Sequence, residues 1–286
     1  MVTSLSYSYW ITLLLSLPAA GLVIRLFIIF HDCGHGAFFK SQRMADAVGY
    51  VLGVLSFTPY DRWHHAHLIH HQTAGNLDKR GIGDVWTLTV NEYKALPPKK
   101  RLMYRIYRDP LVMFGLGAAL MFFFNNRFTR KSFTPKEKKS VYLTNLGILV
   151  LATTLCLTIG WKAYLMIQIP VMYFASVAGV YMFYVQHQFD DVHWSEDKDW
   201  DFKTVALEGS SFFKLPKVLQ WFTGNIGFHH IHHLSFKIPN YYLEKCHKES
   251  SVLGNVKPIT FFKSFRTLRL RLWNEESRKL VGFREV

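Results

Sequence analysis

The run YWITLLLSLPAAGLVIRLFIIFHDCGH, residues 9–35, joins a long apolar segment directly to a pair of histidines. Its apolar part, Tyr9 to Phe30, contains one charged residue, Arg25, near the C-terminal end, where a long side chain can reach the headgroup region. As a helix, this part extends about 33 Å, which is enough to cross the hydrocarbon core of a bilayer. The run therefore predicts a transmembrane helix that leads straight into a histidine-bearing polar segment.

Two later runs are also long and apolar enough to cross a bilayer. Val141 to Gly160 carries no charge, and Ala163 to Val185 is interrupted only by Pro170. Only Trp161 and Lys162 separate the two runs. The pair therefore predicts a tight transmembrane hairpin.

Two shorter apolar runs have a different expected role. Ala47 to Tyr60 and Leu111 to Phe124 each contain 14 residues, a length that suits a re-entrant or interfacial segment better than a complete span. The sequence thus predicts an all-α integral membrane protein with about three transmembrane helices, further re-entrant or interfacial helices, and a cytoplasmic helical cap. The predicted spans are about 9–30, 141–160 and 163–185, within a single domain of residues 1–286.

The distribution of basic residues indicates how these spans are oriented. The formal net charge is +14; residues 40–140 hold 17 Lys and Arg against 7 acids, and residues 186–286 hold 15 more Lys and Arg. By the positive-inside rule, the regions 31–140 and 186–286 are expected on the cytoplasmic side of the plasma membrane. A basic protein can also bind nucleic acid, but the sequence has no DNA- or RNA-binding motif. The membrane and its lipids are therefore the expected partners, with no nucleic acid among them.

Eight of the 14 histidines form three groups with helical spacing, and a ninth stands alone. His31 and His35 form H-x-x-x-H, residues 67–71 and 229–233 each form H-x-x-H-H, and His187 follows the third apolar run. Residues three and four apart share a helix face, and the topology brings the three groups and His187 to a similar depth on one side of the membrane. Neutral imidazole is the commonest protein metal ligand, and nine imidazoles suit two ions rather than one. A nitrogen-rich set favours iron, copper, nickel or zinc.

The other five histidines are expected to have structural or supporting roles. On a helix, His230 would point about 100° away from His229, which predicts a place at the surface or behind the ligands. The five are His64, His65, His193, His230 and His247.

These motifs resemble those of the membrane fatty acid desaturase family. The resemblance is carried by His31-Asp32-Cys33-Gly34-His35, His67-Leu68-Ile69-His70-His71, Gln186-His187-Gln188-Phe189 and His229-His230-Ile231-His232-His233. Phe27 to Phe39, Asn76 to Glu92 and Glu208 to His233 are also similar to bacterial acyl-lipid desaturases, and the delta-5 phospholipid desaturases of bacilli are the nearest group. The resemblance covers nearly the whole chain.

The N-terminal end departs from the family pattern. Members of this type usually have another apolar segment before the span that leads into the first histidine box, whereas this sequence begins almost at that span. We expect either a truncated start or a member that lacks one helix, and no metal ligand is lost in either case. No basic segment precedes Tyr9, so a cleavable signal peptide is not expected.

The resemblance implies O₂-dependent insertion of a cis double bond into saturated acyl chains of membrane lipids, in the nearest group at the delta-5 position. Two iron ions, cycling between Fe²⁺ and Fe³⁺, would be the cofactors, with O₂ as co-substrate. The implied iron ligands are His31, His35, His67, His70, His71, His187, His229, His232 and His233. Asp32, Asn225 and Gln186 are candidates for orienting the imidazoles. The aromatic candidates for lining an acyl-chain tunnel are Phe38, Trp63, Trp86, Trp221 and Phe228.

The reaction also needs two electrons from outside the chain. The sequence contains neither a G-x-G-x-x-G fingerprint nor the H-P-G-G motif of fused haem domains. A separate carrier is therefore expected, either a ferredoxin or another small protein such as cytochrome b5. A basic cytoplasmic surface would attract an acidic carrier.

Three other functions are compatible with parts of the pattern. A di-iron membrane hydroxylase or ketolase acting on a lipid, alkane, sterol or carotenoid would share the histidine boxes. A zinc-binding transporter or intramembrane protease is less consistent with the sequence, because it has no H-E-x-x-H motif and no acidic residue within the predicted spans. A structural membrane protein would tolerate alanine at every box histidine.

Overall fold

The computed structural model describes residues 1–286, except for the side chain of Asn255, and it is mostly helical. This confirms the predicted all-α class. The helices are α1 (Val2–Leu5), α2 (Tyr9–Gly34), α3 (Gln42–Leu55), α4 (Tyr60–Thr73), α5 (Val90–Ala95), α6 (Pro98–Tyr107), α7 (Pro135–Ile159), α8 (Trp161–His187), α9 (Phe202–Glu208), α10 (Lys217–Phe222), α11 (His229–Leu234), α12 (Asn240–Glu249) and α13 (Phe261–Ser264).

Short elements complete the chain. The π-helical turns Leu111–Gly117 and Leu120–Phe124 follow α6. The strands are β1 (Phe212–Lys214), β2 (Pro258–Thr260), β3 (Leu272–Asn274) and β4 (Lys279–Val281). Strand β1 pairs in parallel with β2, and β3 pairs antiparallel with β4. The short 3-10 helices are Asn125–Arg127, Asp197–Asp199, Leu253–Asn255, Phe265–Arg269 and Phe283–Glu285.

Three helices, α2, α7 and α8, are long and apolar enough to cross a membrane, as the sequence predicts. A fourth candidate consists of α6 followed by residues 111–127, bent by 65° at the break between them. That geometry fits a broken span or a re-entrant loop, so the predicted re-entrant role of Leu111 to Phe124 remains one of two possibilities.

The three spanning helices extend beyond their predicted limits. Helix α2 continues to Gly34 and so includes His31, while α8 ends at His187 itself. Helix α7 begins at Pro135 rather than Val141, because a capping box initiates it: Thr134 Oγ1 accepts from the Glu137 backbone N–H at 3.2 Å, and Glu137 Oε2 accepts from the Thr134 N–H at 2.8 Å.

Contacts divide the chain into two compact units. The first contains Met1–His65, Leu116–Val180 and Trp221–Gly224. In it, α2 packs on α3 around a core of Phe30, Cys33, Ala45, Leu52 and Tyr60. The chain turns from α7 into α8 at Gly160, whose φ of +85° is a conformation that favours glycine.

The second unit contains Ala66–Gly115, Tyr181–Gln220 and Asn225–Val286. Arg108 lies at its centre with no exposed surface. Its guanidinium donates to the Trp86 and Leu270 carbonyls at 3.1 Å. It also donates to Thr87 Oγ1 and Gln188 Oε1 at 2.9 Å. Arg108 therefore joins three distant segments of this unit through buried hydrogen bonds.

An ion cluster on α12 gives the second unit a pH-dependent contribution to stability. The Lys217 and Lys248 ammonium groups hydrogen-bond the Glu244 carboxylate and lower its pKa from 4.5 to about 2. A carboxyl group whose pKa is lower in the folded state stabilises that state at pH values above the pKa of the unfolded state. We expect Glu244→Gln to remove a contribution that is complete above about pH 4.5 and disappears as the pH falls toward 2.

Thermal unfolding of the purified protein between pH 2 and 7 would measure this difference. Glu249→Gln is the matched control, because its side chain is 68% exposed and lies 3.9 Å from Lys245. If Glu244→Gln and wild type differed equally at every pH, the assignment would be wrong.

Candidate metal centre

The box histidines lie on helices α2, α4 and α11 or directly after them, and all are buried. Helix α4 carries the second box, α11 carries the third, and α8 ends at His187. The histidines of the second and third boxes, together with His187, have between 0% and 9% of their surface exposed. Histidine has only an intermediate tendency to be buried, so the burial of this many imidazoles together indicates a shared site.

Four histidines of the second unit form one compact group. His70, His187, His229 and His233 each offer a ring nitrogen, and these four nitrogens lie within 4.8 Å of one another. The His187 Nε2 atom is 3.1 Å from His70 Nε2 and 2.9 Å from His229 Nε2. We call this group the four-histidine cluster.

A second group lies in the same unit. His71 Nε2 is 3.1 Å from His67 Nε2 and 2.9 Å from His232 Nε2. We call these residues the three-histidine cluster. Each H-x-x-H-H box therefore divides between the two clusters, rather than presenting its imidazoles in one direction as the sequence spacing predicts. The reason is that His70 and His71 are adjacent, and adjacent residues point about 100° apart on a helix.

His31 and His35 lie in the first unit, at the C-terminal end of α2. Their ring centroids are 4.6 Å apart, which is the expected result of i, i+4 spacing. His31 Nδ1 donates to Asp32 Oδ1 at 3.0 Å, and the Trp63 ring packs 5.5 Å from the His31 ring. Asp32 thus lies where the sequence analysis expects a group that orients an imidazole.

The donor chemistry of both clusters fits a metal. A neutral imidazole has one N–H and one lone pair, so a series of Nε2 atoms at contact distance cannot satisfy one another completely. Within the described part of the chain, no hydrogen-bond partner reaches the buried Nε2 of His233. Burial, followed by the imidazoles around it, lowers the pKa of His233 well below its ordinary value. The ring is therefore neutral, the form that binds metal.

The other predicted supporting residues have distinct positions. Gln186 is buried, and its side-chain amide donates to the Ile226 carbonyl at 2.9 Å, which fixes the segment just before the third box. Asn225 has a φ of +59° and donates to the Asn240 carbonyl at 3.1 Å. Its contacts therefore hold a turn ahead of α11.

The five aromatic candidates are divided between the two units. In the first unit, Phe38 and Trp63 pack against the α2–α3 core, and Trp221 is about half exposed beneath the Arg25 guanidinium. In the second unit, Trp86 is about half exposed beside Tyr104 and Tyr107, and Phe228 is buried against Phe212.

The histidines outside the clusters are only partly as expected. His65 is exposed and donates to Glu137 at 3.1 Å. His230 is completely buried, so the surface alternative is wrong and the alternative of a place behind the ligands stays a prediction; its ring packs near Phe212 and His247. Burial, with a contribution from His247, lowers the pKa of His230 to about 4.

One contact of the four-histidine cluster is not evident from the motifs. His70 Nδ1 donates to Asp84 Oδ1 at 2.6 Å. Asp84 lies in the loop before α5, 14 residues beyond His70. The available signal is the presence of acidic residues in the run Asn76 to Glu92, where Asp78 and Asp84 precede the capping residue Glu92. Sequence spacing does not distinguish these two acids.

Comparison with known sequences agrees with the geometry. The family model described as fatty acid desaturase matches residues 8–256. The chain belongs to the fatty acid desaturase family. Among related proteins, a fatty acid desaturase of Bacillus subtilis is 50% identical over 283 residues, which cover 99% of this chain and 80% of the relative.

More distant relatives have more specific descriptions. The sn-1 oleoyl-lipid 12-desaturase of Synechocystis is 27% identical over 245 residues, covering 84% of this desaturase and 67% of the relative. The sn-1 acyl-lipid omega-3 desaturase (ferredoxin) of Nostoc is 27% identical over 262 residues, covering 87% and 69%. The desaturase is thus an oxidoreductase of membrane-lipid acyl chains, with histidine clusters suited to a metal site.

Proposed function

We propose that this desaturase introduces a cis double bond at the delta-5 position of saturated acyl chains in membrane phospholipids. Membership of the family supports acyl desaturation. The segments similar to the delta-5 phospholipid group support the position. The observation that carries the proposal is the convergence of four buried imidazoles in the four-histidine cluster.

Two iron ions are the proposed cofactors, and O₂ is the proposed co-substrate. The proposed ligands are all nine box and near-box histidines: His31, His35, His67, His70, His71, His187, His229, His232 and His233. Nitrogen-only ligand sets of this kind are compatible with iron. When bound, the iron supplies O₂ reduction and hydrogen removal, so that one CH₂–CH₂ unit, O₂, two electrons and two protons give one CH=CH unit and two waters.

The protein's own side chains prepare the site. The buried boxes exclude bulk water from the reacting region, which strengthens every electrostatic interaction there. Asp32 orients the His31 ring through the hydrogen bond to Nδ1. Gln186 holds the segment preceding the third box and so positions His229. For Asn225 we propose the same kind of support through the turn before α11.

The acyl chain is proposed to contact the five aromatic residues that the sequence analysis selects as tunnel candidates. Aromatic rings provide large apolar surfaces with few rotatable bonds, which suits the recognition of an extended saturated chain. Those proposed are Phe38, Trp63, Trp86, Trp221 and Phe228. The whole chain, residues 1–286, would act as one desaturase domain in the plasma membrane, with the active site on the cytoplasmic side.

The proposed electron donor is a ferredoxin. Two observations support it: the description of the Nostoc relative names ferredoxin, and the formal charge of +14 favours association with an acidic carrier. A small carrier of the cytochrome b5 type is the alternative. Turnover that fails with ferredoxins but proceeds with another carrier would count against the proposal.

Expression in a host that lacks unsaturated lipids tests the function directly. The expected result is monounsaturated phospholipid acyl chains with the double bond mapped to carbon 5, together with iron in the purified protein. A variant with His70 and His232 both replaced by alanine serves as the control and should give no product. Hydroxylated chains would support the hydroxylase instead, and a single zinc without iron would reject the di-iron assignment.

A further inference from the structure

Asp84 contacts the four-histidine cluster from outside, through His70. We propose that Asp84 is a positioning residue, which fixes the ring of His70 and thereby sets the metal affinity and geometry of that cluster. This inference depends on the proposed metal-binding function. It assigns a role to a carboxylate that none of the histidine motifs includes.

The hydrogen bond to Asp84 determines which His70 nitrogen faces the cluster. A carboxylate accepts, so His70 Nδ1 carries the proton and donates to Asp84 Oδ1 over 2.6 Å. The lone pair is then on Nε2, which lies 3.1 Å from His187 Nε2. His70 itself has no exposed surface, while the Asp84 side chain is 19% exposed. The carboxylate thus selects the tautomer that can bind a metal inside the cluster.

The loop that carries Asp84 is held tightly against α4. Gly83 has a φ of +73°, and a Cβ atom there would lie 2.9 Å from both the Ala66 carbonyl oxygen and His70 Cβ. Only glycine permits so close an approach with this backbone conformation. The loop therefore delivers the next residue, Asp84, directly to the His70 ring.

On the C-terminal side of Asp84, hydrogen bonds from Arg108 fix the chain. Arg108 donates to the Trp86 carbonyl and to Thr87 Oγ1, and also to Gln188, the residue that follows His187. One short segment thus braces two cluster ligands, His70 directly and His187 through its neighbour. A mobile surface carboxylate would not have such anchoring on both sides.

Charge gives Asp84 a second effect. Imidazoles supply no negative charge, so a carboxylate hydrogen-bonded to one of them makes that ring a stronger donor to a cation. The neighbouring cation Arg80 is bound to Glu92 by two hydrogen bonds of 2.7 and 3.0 Å. The Arg80 guanidinium is thus engaged by Glu92, and the Asp84 carboxylate can accept from His70. Loss of such a partner typically weakens metal binding by about 10–100-fold.

Cobalt titration of the metal-free, full-length protein tests the inference without turnover. Co²⁺ alone is added to wild type, Asp84→Ala, Asp84→Asn and Asp84→Glu, and its visible absorption reports both affinity and ligand geometry. We expect Asp84→Ala to bind one of the two cobalt equivalents about 10–100-fold more weakly, with a changed absorption band for that equivalent. Asp84→Asn should weaken binding less, and Asp84→Glu should partly restore it.

Asp199→Asn is the matched control, because it removes one negative charge from an exposed residue of the second unit. It should bind cobalt as wild type does. Asp84→Asn keeps the size of the side chain and provides the test if Asp84→Ala does not fold. Wild-type affinities and spectra in Asp84→Ala and Asp84→Asn would overturn the positioning role alone. A wild type that bound no cobalt would instead overturn the metal site, and this inference with it.

Discussion

Replacing His233 with alanine is expected to eliminate double-bond formation and to remove about one of two bound iron equivalents. His233 is buried at the centre of the four-histidine cluster, with ring centroids 4.3–5.0 Å from those of His70, His71, His187 and His229. Loss of a group that only supports a ligand costs about 10–100-fold, so loss of a ligand should cost at least about 100-fold. Iron analysis and acyl-chain analysis of the same preparation would measure both effects.

A matched histidine variant separates this effect from a general disturbance. His193 lies outside both clusters, is partly exposed, and is 3.9 Å from Glu208. His193→Ala should retain iron and product formation. If His233→Ala also retained both, the four-histidine cluster would not be the metal site.

Replacing Arg108 with methionine is expected to destabilise the protein by at least about 3 kcal/mol. The substitution would leave the Trp86 and Leu270 carbonyls and the Gln188 side chain without their buried donor. Each unsatisfied buried polar group costs about 1–3 kcal/mol. Methionine has a similar volume, so lost hydrogen bonds rather than lost volume should dominate. Unfolding of the purified protein by denaturant would measure the change.

Arg266→Met provides the comparison, because Arg266 is an exposed arginine of the same unit. Its effect should stay within about 0.5 kcal/mol, as for most surface substitutions. Equal stability of Arg108→Met and wild type would contradict the role of Arg108 as the link between its three segments.

Much of the fold follows from local features of the sequence. The spans were predictable because an uncharged run longer than the bilayer thickness has few alternatives to a transmembrane helix. The capping box at Thr134 and Glu137 lies outside the uncharged run, which is why hydropathy alone places the start of α7 too late.

The convergence of the box histidines was predictable, but their grouping and support were not. Adjacent residues such as His70 and His71 diverge by about 100° on a helix, but spacing cannot show which other histidines each of them meets, since that depends on which element packs against each face. Asp84 and Arg108 act through contacts between distant parts of the second unit, and these contacts have no periodic signature. Gly83 was a usable signal, because a glycine before an acidic residue permits a close backbone approach.

The short connection between α7 and α8 also affects how the two helices insert into the membrane. Gly160 is the single residue between Ile159 and Trp161, the adjoining ends of the two helices. Because one residue links them, one helix cannot insert into the bilayer while the other remains outside it. We therefore expect the two helices to enter the lipid together as one hairpin, so that a polar substitution that prevents insertion of either helix prevents insertion of both.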